Sequence, residues 1–110
     1  MPLSAKARIE VYLPDLLSHA SQELLLIFND EFTQTFGGAT LLRGLDGNYL
    51  TQDGKEVRDR VNLLYTDTPF SLAEYSEELG AYMNELRQAV LEALDEESVL
   101  VVAVPVYHAE

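Results

Sequence analysis

The chain has 110 residues, 47% hydrophobic and 24% charged, with 19 acidic residues against 7 basic ones and a formal net charge of −12. That length and balance describe one folded domain and exclude both a second core and disorder over most of the chain. The negative excess argues against nucleic acid as a partner, because Lys and Arg must displace the counterions of a polyanion, and the absence of cysteine excludes disulfides, thiolate catalysis and Cys-ligated zinc.

Ala7, Ile9, Val11 and Leu13 alternate with Arg8, Glu10 and Tyr12, the period-two pattern of a half-buried strand. Pro14 breaks that ladder and Asp15 is the expected N-cap of a helix. Leu17, Ala20, Leu24, Ile27, Phe28 and Phe32 then recur at helical spacing until Gly37-Gly38 ends it. Ala39 to Thr51 reads as a second strand, interrupted near Gly44 and Asp46-Gly47, and Asp53-Gly54 turns it into a third, Val57 to Asp67. A two-residue turn centred on Asp53-Gly54 sets Thr40 opposite Asp67, Leu42 opposite Tyr65 and Tyr49 opposite Arg58; a bulge at Gly44 or Gly47 shifts the distal half. The second helix is marked by Ser71 as N-cap, Glu74 completing an S-x-x-E box, and Phe70 with Tyr75 as a hydrophobic staple. Its expected buried stripe is Leu72, Tyr75, Leu79, Tyr82, Met83, Leu86, Val90 and Leu94. Ser98 to Val104 is a continuous apolar strand, closed by Pro105 and a short tail.

The order βαββαβ, with right-handed crossovers, predicts an α+β ferredoxin-like sandwich: one four-stranded antiparallel sheet in the order 4-1-3-2 with two helices on one face, a single domain over residues 1–110. Two helices leave the other face of such a sheet bare. In the last strand Leu100, Val102 and Val104 alternate with Val99, Val101 and Ala103, so both sides are apolar. A strand wetted on one side should alternate with polar residues, and an open edge of this composition invites aggregation. The expected cover is another copy of the chain, in a homodimer or higher homo-oligomer built on the open sheet face or the last strand; the alternative is that the tail after Pro105 or the N-terminal residues fold back over the strand.

Alternation also places Arg8 and Tyr12, Arg58, Arg60 and Asn62, and Arg43 with Tyr49 on that bare face, which makes Arg8, Tyr12, Arg43, Tyr49, Arg58 and Arg60 the candidate ligand-binding residues. Guanidinium forks match carboxylate and phosphate, so a small anionic ligand is one reading. The other is that these arginines pair with Glu10, Asp46, Asp59 or a partner's acidic helix. Residues 67–110 hold ten acidic residues and a single Arg87, so negative charge concentrates on the second helix and its exit.

No catalytic or metal-binding constellation is recognisable, and no cofactor is expected. His19 and His108 have no metal partner at ligand spacing and read as surface residues. Asp95-Glu96-Glu97 with Glu92 reads as a solvated charge run at a helix C-terminus. Gly37-Gly38 follows a helix, whereas a phosphate loop precedes one, so it reads as a C-cap. Tyr75 and Tyr82 belong to the buried stripe, leaving Tyr12, Tyr49, Tyr65 and Tyr107 for any pocket.

The stretch FGGATLLRGLDGNYLTQDGKEVRDRVNLLYTDTP, Phe36 to Pro69, resembles small uncharacterised bacterial ferredoxin-like domains in which F-x-x-G-x-T opens the second strand, G-x-(W/Y) follows and a DG turn leads into a charged third strand. The resemblance implies a fold and an oligomeric habit, with no activity to carry over. In outline the chain is also similar to PII-like and dimeric α/β-barrel proteins, although only Gln52 to Lys55 joins the strands where the PII type carries a long nucleotide-binding loop. The leading expectation is a non-catalytic, oligomeric accessory or regulatory domain. The alternatives are a small-molecule enzyme of the dimeric α/β-barrel type, using Tyr or His in a pocket between helices and sheet, and an anion-sensing module using Arg8, Arg43, Arg58 and Arg60. No apolar run reaches the ~20 residues of a membrane helix, no signal core precedes Glu10, and a cytoplasmic location is expected.

Overall fold

Six elements appear in the expected order in a computed structural model that describes residues 2–95 and 99–110: β1 (Leu3–Pro14), α1 (His19–Phe36), β2 (Thr40–Leu50), β3 (Glu56–Asp67), α2 (Leu72–Leu94) and β4 (Leu100–Ala109). The strands form one antiparallel sheet, β2-β3-β1-β4, which is the order 4-1-3-2 read from its other edge. Ala7, Ile9, Val11 and Leu13 of β1 point to the helix side, as their alternation requires, and are buried with Leu64 of β3, Leu24, Leu25, Phe28 and Phe32 of α1, and Leu79, Leu86 and Val90 of α2. Each large aliphatic or aromatic side chain in that layer contributes roughly 1.5–3 kcal/mol on removal from water.

α1 starts later than its pattern suggests. Asp15 is not its cap: its backbone N–H donates to Arg60 O at 2.9 Å, which ties the chain to β3 for one residue beyond Pro14. Ser18 caps instead, its Oγ accepting from the Ser21 N–H at 3.2 Å. That later start leaves Leu17 96% exposed and turns Ile27 to solvent, so the buried stripe is Ser21, Leu24, Leu25, Phe28 and Phe32. At the other end Gly37 adopts φ 94° and its N–H donates to Thr33 O at 3.0 Å, a left-handed C-cap.

In α2, Ser71 Oγ accepts from the Glu74 N–H at 3.3 Å. The Phe70 and Tyr75 rings pack at 4.8 Å, as the staple predicts. Tyr75, at φ −124° and ψ 24°, lies outside helical geometry, and its ring stays on Phe70 at the surface instead of joining the core. Leu72, Tyr82, Met83 and Leu94 pack partly buried against the core.

The hairpin corrects the expected register. Thr51 N–H donates to Lys55 O at 2.8 Å and Gly54 N–H to Thr51 O at 3.0 Å, with Gly54 at φ 85°: a three-residue loop with glycine in the left-handed position. One extra loop residue slides the ladder, so Tyr49 faces Val57 and not Arg58. A bulge between Leu42 and Leu45 slides it again, setting Thr40 against Tyr65 and Leu42 against Leu63. Gly44, at φ 66°, makes that bulge, its N–H donating to Asn62 Oδ1 at 2.9 Å.

β1 pairs with β3 as far as Pro14↔Val61, with Asp15 bonded to Arg60 O beyond it, while Glu56 to Asp59 pair with β2 alone. The distal hairpin is therefore a two-stranded arm extending past the sheet. The molecule measures 47 × 30 × 25 Å, and its radius of gyration of 15.1 Å exceeds the ~13 Å of a compact chain this long.

β4 does not stop at Pro105; it pairs with β1 along Tyr12↔Leu100 through Leu3↔Ala109. Ser98, the expected first residue, lies outside the described residues. Proline is tolerated because of orientation. Ala7, opposite Pro105, donates its N–H to Phe70 O (2.7 Å) and accepts at its O from Thr68 N–H (2.9 Å), so both of its groups point away from β4. The Pro105 nitrogen consequently faces the free edge, where no ladder bond is lost.

Candidate functional site on the open sheet face

Register assigns the face opposite the helices residue by residue. β1 contributes Lys6, Arg8, Glu10 and Tyr12; β3 contributes Val57, Asp59, Val61, Leu63, Tyr65 and Asp67; β4 contributes Leu100, Val102, Val104, Val106 and His108. From β2 come Leu42 and Leu45, which share this face because the bulge inserts one residue between them, together with Tyr49. The centre is an apolar band, with Leu63 buried by its neighbours on the sheet and Leu100 still 55% exposed. At the arm end the band deepens into a groove of ≈ 520 Å³ lined chiefly by Tyr12, Leu45, Tyr49, Val61 and Leu100.

At the opposite end lies a polar cluster. Asp67 receives Arg8 Nε at 2.7 Å on Oδ1 and Arg8 Nη2 at 3.1 Å on Oδ2, a bidentate fork. The same Oδ2 lies 2.8 Å from His108 Nε2. The Arg8 guanidinium also sits 4.3 Å above the Tyr65 ring. The Arg8 hydrogen bonds, seconded by His108, hold the Asp67 carboxyl below the usual carboxylate range, and the same bonds raise Arg8. Nearby, Tyr12 Oη donates to Glu10 Oε1 at 3.0 Å; burial first, then Glu10, raises that phenol.

The six arginines and tyrosines expected on one face are divided. Arg8, Tyr12 and Tyr49 lie on the open face. Arg58 and Arg60 share the side of Asn62, which pairs with Leu13 and is 1% exposed on the helix side. Alternation in the third strand suggests that its polar, even-numbered set faces outward, but pairing with β1 turns the odd-numbered set, Val57, Val61, Leu63 and Tyr65, to the open face and the arginines to the other. Arg43 stands, exposed, at the bulge. Three of the four arginines have acidic neighbours within the chain: Arg8 with Asp67, Arg60 with Asp15 at 3.9 Å and Arg58 with Glu56 at 3.9 Å. These acids are not the expected Glu10, Asp46 or Asp59.

His108 joins the cluster although the sequence pattern places it in a tail. Ending the strand at Pro105 put it in a tail, whereas continuing the alternation Val104, Val106, His108 brings it beside Arg8. Between helices and sheet, where an enzyme of the barrel type would need a pocket, the core side chains named above pack against one another. Tyr82 lies there at the rim, its hydroxyl 3.3 Å from Glu31 Oε1, with burial and then Glu31 holding it well above the usual phenol range. Among the described residues no three His, Asp or Glu side chains gather as a set of metal ligands, and no helix is long and apolar enough to cross a membrane.

No family model matches the chain, and no curated protein matches it in sequence. Among solved structures it is similar to CutA1 from Oryza sativa, with a TM-score of 0.62 and 18% identity over 98% of this chain and 85% of that one. At that identity the likeness establishes the fold alone. The ferredoxin-like outline anticipated from Phe36 to Pro69 holds, but its opening differs from F-x-x-G-x-T, since Phe36 and Thr40 stand one residue closer.

Proposed function

We propose that the chain is a non-catalytic, self-associating ferredoxin-like module with an accessory or regulatory role, in which a second copy covers the open sheet face. The observation that carries this reading is the apolar band of Leu42, Leu45, Val61, Leu63, Leu100, Val102, Val104 and Val106 on a face with no helix over it. A solvated antiparallel face carries polar residues at such positions. The size fits. Four strands ~4.8 Å apart, with ten paired residues in β1–β4 rising ~3.4 Å each, span ~600 Å² before side-chain relief, near the ~800 Å² per partner of a stable interface. The arm adds a second argument, because a two-stranded ribbon is marginal alone in water and its Tyr49 and Val57 continue the apolar band.

Pro105 favours stacking of faces over pairing of edges, since its nitrogen, aimed at the free edge, interrupts any ladder built on β4. Sedimentation velocity across a dilution series tests the reading, with Val102→Lys as the variant. Glu10 lies across the ladder from Val102 and offers the new cation a partner, which keeps the monomer folded. The native chain is expected well above 12.3 kDa and the variant at 12.3 kDa with an unchanged circular dichroism spectrum. A native chain that stays at 12.3 kDa at every concentration refutes the proposal.

A further inference from the structure

We infer that the groove at the arm end binds a small organic cation, an ammonium group carried on an apolar body; the site is made by one chain and goes beyond self-association. Its floor is the first sign. Gly47 lies in β2 between Leu45 and Tyr49, opposite Asp59 on the open face and clear of the bulge that Gly44 makes. Its φ is not positive, and a Cβ there would meet nothing nearer than Asp59 O at 3.8 Å, so neither backbone nor packing calls for glycine. A glycine inside a strand without such a reason often marks the close approach of another molecule to the backbone. Here the missing side chain opens a gap in the apolar band, walled by Tyr12, Leu45, Tyr49, Val61 and Leu100, with a volume of ≈ 520 Å³, a size common among small-molecule sites.

Charge selects the occupant. No Lys, Arg or His lines the groove, whereas Asp59 faces it from β3 and Asp46 stands at its rim beside Gly47. Among the described residues neither carboxylate is in an ion pair: Arg58 and Arg60, on the other side of the arm, turn to Glu56 and Asp15, and Arg8, the nearest basic residue along β1, is held by Asp67. Glu10, which takes the Tyr12 hydroxyl, adds a third negative charge on the same face. Anions are repelled from such a place. A cation on an apolar body is matched twice, by carboxylates at the rim and by tyrosine rings and aliphatic walls, since the face of an aromatic ring attracts positive charge. A bare metal ion gains nothing from those walls and finds no set of three ligands among the described residues.

The probe is phenethylammonium, with phenethyl alcohol as its neutral counterpart and magnesium chloride as the bare cation, each followed through the amide chemical shifts of the protein at one ionic strength. The ammonium is expected to move the Gly47, Asp59 and Leu100 amides with a dissociation constant on the order of 1 mM. The alcohol binds roughly fivefold more weakly, and magnesium leaves those amides in place. Gly47→Val fills the floor; its Cβ has room and a β-branched residue suits a strand, so the fold is kept while binding falls roughly tenfold or more. Asp59→Asn retains the acceptor for the Arg60 N–H, removes the charge and brings the ammonium down to the level of the alcohol; should Gly47→Val fail to fold, this variant decides. Equal binding of ammonium and alcohol, magnesium moving the same amides, a Gly47→Val chain that binds like the native one, or no shift at any ammonium concentration overturns the inference. Val102→Lys, the expected monomer, separates the two readings. Native and variant chains that bind alike support the site, and a native chain that binds while remaining monomeric refutes self-association alone. Binding by the variant only gives the groove to a second copy and overturns the inference, with self-association left standing.

Discussion

Replacing Asn62 by Ala is expected to cost the fold about 2.5 kcal/mol. The side chain is 1% exposed and joins three segments: Oδ1 accepts from the Gly44 N–H at 2.9 Å, and Nδ2 donates to Asp15 Oδ1 at 3.3 Å. Two hydrogen bonds account for ~1 kcal/mol each, the longer one somewhat less, and the Gly44 N–H left without its partner adds a further ~1 kcal/mol, discounted because the bulge is half-open to water. Urea unfolding followed by circular dichroism, at one protein concentration because association shifts apparent stability, measures it. With a slope of ~2 kcal/mol per molar urea the midpoint falls by ~1.2 M. Asn62→Asp serves as the companion, retaining an acceptor for Gly44 but setting a second carboxylate against Asp15. Its deficit is therefore larger at neutral pH than at about pH 4, where carboxyl groups take up protons. An Ala variant within ~0.5 kcal/mol of the native chain, the ordinary spread of surface substitutions, refutes the claim that Asn62 holds the bulge.

Gly44→Ala is expected to lower stability by ~1–2 kcal/mol, the left-handed penalty of a Cβ at φ 66°, with Arg60 Nη2 only 2.5 Å from that Cβ but free to swing. A thermal midpoint equal to or above the native one contradicts this. Asp67→Asn is expected to cost ~1–2 kcal/mol at pH 7 by leaving Arg8 unpaired on a partly wetted face, and to flatten the acid limb of the stability curve. The sign follows from the depressed Asp67 carboxyl: its contribution is present above its unfolded value of 3.8 and is lost as pH falls through the lower folded one. Acid limbs of equal steepness in the two proteins contradict the assignment.

What could be read from the residues, and what could not, divides along physical lines. Alternation in Ala7 to Leu13 and the capping signals at Ser71-Glu74 and Gly37 are local, and the structure keeps them. Element order then left one sheet topology open. The errors lie where one residue of length decides a phase. Asp53-Gly54 suits a two-residue turn as well as the three-residue loop that formed, and that difference set Tyr49 against Val57 instead of Arg58, while pairing with β1 set Arg58, Arg60 and Asn62 on the helix side. Asp15 and Ser18 are both good caps; the backbone bond from Asp15 to Arg60 O, between residues far apart in sequence, chose between them. Pro105 reads as a stop when only propensity is considered. It is a permitted residue once its nitrogen faces the free edge, and the cost of missing this was His108, the residue that completes the polar cluster.

Isotope-filtered NOE spectroscopy on a mixture of labelled and unlabelled chains would show directly whether one copy lies on another's sheet. Cross-peaks between chains from the methyl groups of Leu63, Val102 and Val104 are the predicted result. A spectrum without them, or with contacts between chains confined to Leu26 and Ile27 on the outer side of α1, contradicts it.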